Sequence, residues 1–245
     1  MTEPQLKAPE LVGDGFKLLF ANFSVLYALA MVFALVEQVI YIIVGDGFSM
    51  PGPDQTFDGG AFLSSMLLIT VIWNYASGVL CLATVDCLNE RRRPLAEYLT
   101  RPIPKIGPMV VLGLLVAIAT GLGAFLFIVP GFYIYAMYLV LVPVIVLEDG
   151  DWRSLTRTRD LTHGHRWTIV LALVILVVML IGASMVVSPV ITPNATGEFS
   201  LMGNVLAALV QGMTFAVFSI FTTLVYVRLV GLRDRVKPSE LYPLN

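Results

Sequence analysis

The chain has 245 residues, 58% of them hydrophobic and only 13% charged, with a mean hydropathy of +0.86 and a formal net charge of −2. Soluble domains carry about 25% charged residues, so this composition excludes an ordinary soluble domain. The charge balance orients a chain in a bilayer and does not suggest nucleic-acid binding, so no nucleic-acid partner is expected.

The fifteen Lys and Arg residues fall in four clusters: Lys7 and Lys17; Arg91, Arg92, Arg93, Arg101 and Lys105; Arg153, Arg157, Arg159 and Arg166; Arg228, Arg233, Arg235 and Lys237. Between them lie three apolar stretches without a cation, 18–90, 106–152 and 167–227. Cytoplasmic flanks collect Lys and Arg. All four clusters therefore belong on one side, and an even number of crossings separates each pair.

In chain order, the first apolar segment runs from Leu18 or Phe23 to Val44, far longer than the roughly 7–15 residues of a signal-peptide core. No cleavable leader is expected. An outer loop over 45–60, rich in Gly, Pro and Asp, leads to a second helix over 61–88, long enough to tilt or to project into the inner interface. After the basic segment, crossings are predicted over 108–128 and 132–147, joined at Pro130–Gly131. The fourth is short and carries Pro143, which predicts a kink or an incomplete span. A fifth crossing at 167–190, an outer loop at 191–203 and a sixth at 204–226 complete the set.

The predicted fold is all-α: a polytopic membrane bundle of six transmembrane helices in three hairpins. It forms a single integral membrane domain over 1–245 in the cell (inner or plasma) membrane, with both termini cytoplasmic. Trp152, Trp167 and Tyr226 mark the inner boundary, and Tyr41, Tyr133 and Tyr135 the outer one. Trp73 is the exception, at mid-helix. Gly113, Ala117 and Gly121 form a small-residue ridge suited to close helix packing.

Each hairpin is preceded by a segment of mixed character. In 9–23, Leu11, Val12, Phe16, Leu19 and Phe20 alternate with Asp14 and Lys17. In 152–161, Trp152, Leu155 and Leu161 oppose Arg153 and Arg157, with Asp151 as a start signal and Gly164 as a stop. The middle segment, 94–106, is interrupted by Pro102 and Pro104. These read as amphipathic helices on the cytoplasmic side, with cations toward anionic lipid headgroups. The pattern suggests parallel repeats over 8–88, 89–148 and 149–228; the alternative is that any inner loop before a crossing has this character.

Glu37 is the one acid well inside a crossing, about 10 Å below Val44 at 1.5 Å per residue. Gln211 falls at the same depth, with Thr70, Thr120 and Ser184 nearby. This polar layer is either a proton-coupled or headgroup site centred on Glu37, or a hydrogen bond to Gln211 or Thr70 that joins helices. Gln38 and Asn74 read as packing groups. Glu148 closes the fourth crossing, where pairing with Arg157 or Arg166 would fasten the following helix. Arg153, Arg157, Arg159, Arg166 and Trp167, with Glu148, make up a cytoplasmic interface facing lipid.

Other polar groups carry less. Cys81 and Cys87 read as packing residues, and His163 and His165 as solvated. Asp46, Asp54 and Asp58 lack the alternating acids of a calcium loop. Asn194-Ala195-Thr196 is a formal glycosylation sequon. No cofactor or metal is expected.

The run Ile128-Val129-Pro130-Gly131, Pro143, Glu148, then Ser154-Leu155-Thr156-Arg157-Thr158-Arg159-Asp160-Leu161-Thr162-His163-Gly164-His165-Arg166-Trp167 resembles the glycerophosphoryl diester phosphodiesterase membrane domain family and related bacterial six-helix membrane proteins. The register matches at Leu155, Arg157, Leu161, Gly164 and Trp167, while Ser154 and Thr158 replace the usual Ala and Ser. About forty residues carry the signature. The resemblance implies an accessory membrane domain, since the phosphodiesterase activity belongs to a separate barrel whose His-Arg-Gly motif is not His163-Gly164-His165.

Three function classes follow. A non-catalytic accessory bundle binding lipid or a membrane protein partner is favoured. The alternative is a small transporter or channel using Glu37. A membrane enzyme ranks last, because no histidine or acidic cluster accompanies a nucleophile in any crossing.

Overall fold

The computed structural model describes residues 6–44, 59–191 and 201–234. The predicted outer loops, with Asp46, Asp54, Asp58, Glu198 and the Asn194 sequon, lie outside the described residues except at their helical margins. Arg235, Lys237 and the Tyr41 side chain lie outside them too.

Among the described residues every regular element is helical. Helix α1 (Ala8–Ala21) carries Pro9, whose fixed φ suits a helix start, in its first turn, and is capped at its end by Asn22. Then come α2 (Phe23–Val44), α3 (Gly59–Leu88), α4 (Leu95–Thr100) and a 3-10 turn, Ile103–Lys105. The rest are α5 (Ile106–Leu126), α6 (Ile128–Tyr138), α7 (Leu141–Leu147), α8 (Ser154–Thr162), α9 (Arg166–Ile191) and α10 (Leu201–Arg233). Six helical segments are long and apolar enough to cross a membrane. They pair as three hairpins: α2 with α3, α5 with α6–α7, and α9 with α10. This is a multi-pass membrane protein.

Helices α3 and α10 have 30 and 33 residues, well beyond the ~20 that a span needs. Their C-terminal halves run side by side in the same direction. Trp73 packs on Phe215 with ring centroids 4.1 Å apart, and Ser219 Oγ donates to the Ser77 carbonyl at 3.4 Å. Together with α7 they form the packed core, in which Leu80, Ile145, Phe221 and Tyr226 are fully buried. Helices α1, α4 and α8 cover this core at the end that carries the cation clusters, here the charged end.

Helix α10 overshoots its predicted end at 226, because Leu229 and Val230 are buried and Arg228 pairs with Asp14 of α1. The three predicted interfacial helices are therefore docked on the bundle. Leu11, Val12 and Leu19 of α1 are buried, whereas Phe20 is exposed. In α8 the buried face is Ser154, Thr158, Leu161 and Thr162, and the predicted Trp152 points outward. Asp151 accepts from the Arg153 N–H at 2.9 Å just ahead of α8, and Gly164 follows it with φ +88°.

The fourth crossing is two helices. Pro143 sits in the first turn of α7, where a missing N–H costs no internal bond. In a continuous helix its ring would meet the carbonyl of Leu139, and the break falls at Leu139–Val140. The hairpin turn is also displaced from the prediction. It is the single extended residue Phe127, while Pro130 and Gly131 lie inside the first turns of α6. Gly131 serves close approach instead: a Cβ there would sit 2.7 Å from Ala124 Cβ and 2.8 Å from its backbone nitrogen. The predicted ridge on α5 does not pack as a unit. Gly113 faces the Asn74 amide, and a Cβ at Gly121 would meet nothing within 4 Å.

The second hairpin stops short of the third. The Tyr133 ring lies 5.5 Å from that of Trp167 at the start of α9, and Ile128 borders the same cavity as Leu173 and Val177. From Val177, α9 continues for about 21 Å to Ile191 at 1.5 Å per residue. Tyr133 therefore belongs toward the charged end rather than at the predicted outer boundary. The hairpin tip is apolar throughout and highly exposed, from Phe125 at 90% to Val129 at 59%.

Candidate functional site

The polar group inside the bundle is built from three helices. Glu37 on α2 accepts from Trp73 Nε1–H of α3 at 3.3 Å on Oε1, and from Gln211 Nε2–H of α10 at 3.2 Å on Oε2. Both partners only donate at these atoms, so each carboxylate oxygen is matched to one donor. Thr70 is not part of this contact. Its hydroxyl donates to the Met66 carbonyl at 2.7 Å, one turn back on its own helix.

Beside this group, three cavities of about 370, 340 and 450 Å³ meet between the hairpins. Tyr135 and Phe218 line all three, with ring centroids 6.3 Å apart, and Trp73 lines two. The first lobe adds Thr70, Asn74, Ser77, Tyr138 and Thr222; the second adds Thr120; the third adds Gln211, Ser184 and Thr214. Among the described residues, no Asp, Glu, Lys, Arg or His lines any of them. Glu37 stands just behind, through Trp73 and Gln211. Half of the hydroxyls here are spent on their own helices, as Thr214 is on Val210 at 3.0 Å and Ser184 on Leu180 at 2.8 Å. The Thr120 hydroxyl is buried without a hydrogen-bond partner among the described residues.

The chain matches no protein-family model, no curated protein and no solved structure.

At the charged end, Glu148 is the junction of α7, α8 and α10. It accepts from Arg157 Nε at 2.9 Å and Nη2 at 3.1 Å, and from the Tyr226 hydroxyl at 3.0 Å. Arg157 also pairs with Asp234. These carboxylates, Glu148 foremost, hold the Arg157 pKa above the ordinary arginine value. Arg166 is committed too: Nη1 donates to the Tyr133 hydroxyl at 3.0 Å and Nη2 to the Arg159 carbonyl at 3.2 Å. The sequence-predicted lipid-facing set thus divides. Glu148, Arg157 and Arg166 hold the protein together, while Arg153, Arg159 and Trp167 are exposed.

Sequence reasoning missed two groups. Tyr135 and Phe218 are ordinary apolar-helix residues until the hairpins meet. Asp86 and Arg93 form a buried ion pair at 2.8 Å; one clue was an acid inside the last turn of an apolar helix, seven residues before an arginine.

Proposed function

We propose that this chain is a non-catalytic accessory bundle of the cell membrane, which binds a membrane lipid in the chamber between its hairpins. The chamber carries the reading: it combines cavity volume with aromatic walls and hydroxyl groups, as ligand sites do, and has no ionic lining among the described residues. The charged end would face the cytoplasm, where Arg153 and Arg159 can rest on anionic headgroups at about 1 kcal/mol each.

A transporter using Glu37 is the second reading, since the acid borders the chamber. Against it stands the charged half of the bundle, where α3, α7 and α10 pack with Val79, Leu80, Val140, Ile145 and Phe221 at 1% exposure or less. The chamber is a closed-ended site. The relation to the glycerophosphoryl diester phosphodiesterase membrane domain family remains a proposal on the motif residues. Three of these residues have structural roles in the fold. Arg157 holds Glu148, Leu161 is buried and Gly164 supplies a positive φ.

Native mass spectrometry of gently extracted protein tests the function. A defined lipid retained by the wild type and lost from Ala117→Phe, which fills the first lobe, is the expected result. Bare protein in both samples would end the lipid-binding reading.

A further inference from the structure

We propose that the chamber selects an uncharged lipid bearing hydroxyl or ester groups, held by the hydroxyls of Tyr135 and Thr120. This rests on the lipid-binding reading above and names the ligand class. Headgroup charge decides the class first. A phosphate placed here would meet no cation among the described lining residues and would lie near the Glu37 acid, which is strongly unfavourable, and an ammonium group would have to displace Trp73 or Gln211 to reach that carboxylate.

The hydrogen-bonding inventory decides the rest. The Ser and Thr hydroxyls already spent on backbone carbonyls retain lone pairs and can only accept. The Thr120 hydroxyl, buried and without a partner among the described residues, is an unspent donor in the second lobe. The Tyr135 hydroxyl makes no hydrogen bond among the described residues, and its ring borders all three lobes. Ser77 and Tyr138 of the first lobe likewise spend no hydroxyl among the described residues, and Asn74 and Gln211 each keep a second amide N–H, so the walls mix donors with acceptors and suit an ester carbonyl and a free hydroxyl. The chain of such a lipid has a way in. The second hairpin ends at this level while α9 and α10 continue, so the chamber is open above the tip at Ile128, itself exposed.

The chain contains three tryptophans, and Trp152 and Trp167 are exposed, so Trp152→Phe with Trp167→Phe leaves Trp73 as a reporter in the chamber wall. The full-length double variant in lipid nanodiscs is titrated with brominated diacylglycerol or brominated phosphatidylglycerol, and quenching of Trp73 is read. The expected result is saturable quenching by the diacylglycerol at about tenfold lower mole fraction than by the anionic lipid. Thr120→Val and Tyr135→Phe, which keep shape, should each weaken it about three- to tenfold. Equal or stronger quenching by phosphatidylglycerol would overturn the uncharged class and leave lipid binding standing. Quenching by both only in proportion to mole fraction would overturn both.

Discussion

Asp86, in the last turn of α3, and Arg93, just beyond it, form an ion pair at 2.8 Å with both side chains only 3% exposed. The turn between them makes this contact. Arg91 N–H reaches back to the Asp86 carbonyl at 2.8 Å, and the Tyr98 hydroxyl accepts from Arg93 N–H at 3.2 Å. The pair therefore fastens the entry of the second hairpin to the core of the first.

Removing one partner of a buried pair leaves the other charge uncompensated, at a cost of about 3–5 kcal/mol. Asp86→Ala and Arg93→Ala should each show this loss in denaturant unfolding of the detergent-solubilised protein. Asp86→Leu combined with Arg93→Met should recover much of it. A double variant as unstable as the sum of the singles would refute the pairing.

The contact of α5 with α6 gives a second contrast. A Cβ on Gly131 would meet the backbone of Ala124, which no side-chain rotation relieves. Gly131→Ala should destabilise by about 1–3 kcal/mol through overpacking. Gly121→Ala, with open space around it, should be neutral or gain up to about 1 kcal/mol in helix propensity. Thermal unfolding of the two variants checks the order.

The layout of crossings was legible because charge segregation and apolar length act over tens of residues. Glu37 with Gln211, and Glu148 with Arg157, were legible because rare polar groups in apolar surroundings have few partners to choose from. Trp73 was visible as an aromatic out of place, yet only the packing of α3 against α10 shows that its N–H serves Glu37. Which of Arg91, Arg92 and Arg93 turns inward depends on the geometry of one turn. The chamber is hidden for a further reason: sequence spacing puts Tyr135 at the outer boundary by taking the second hairpin to reach as far as the others, whereas it lines the chamber inside the bundle.

Two helix ends share an unusual cap. Glu90 and Asp149 have φ of 53° and 50°. Arg91 N–H bonds the Asp86 carbonyl, and Gly150 N–H bonds the Ile145 carbonyl at 3.1 Å, the pattern that normally places glycine at this position. The left-handed conformation costs an L-residue about 1–2 kcal/mol, partly offset by glycine's greater unfolded entropy. Glu90→Gly and Asp149→Gly should each stabilise by about 0.5–1 kcal/mol. The ion pair that Asp149 makes with Lys105 at 3.3 Å is 82% exposed on the acid side, so its loss matters little. A melting temperature lowered by either change would count against the cap.

Arg157 links Glu148 and Asp234 with a third of its side chain exposed. Arg157→Ala should cost about 1–2 kcal/mol, below the full value of a charged hydrogen bond because of solvent screening. It should speed amide exchange across α8. The sign with pH follows from the raised pKa. The stabilisation is fully present below the ordinary, unfolded arginine value and fades only as pH rises through the higher folded value. Hydrogen exchange of α8, corrected for intrinsic rate, should therefore show no loosening from deprotonation of Arg157 between about pH 6 and 10.

Glu37 separates packing from transport. Glu37→Gln keeps an acceptor for Trp73, and Gln211 can rotate its amide to present oxygen to the new N–H, so the stability loss should stay below about 1 kcal/mol. Glu37→Ala strips the acceptor from both donors, and within a membrane bundle two such bonds are worth about 1–3 kcal/mol together. The expected order in unfolding is therefore wild type, then Gln, then Ala, with proton flux into sealed vesicles at the level of empty vesicles for all three. Wild-type flux that Glu37→Gln abolishes while the fold is retained would make the acid a transport group and displace the closed-ended chamber. Equal stability of all three would instead remove the hydrogen bonds to Trp73 and Gln211 as a reason for an acid at this depth.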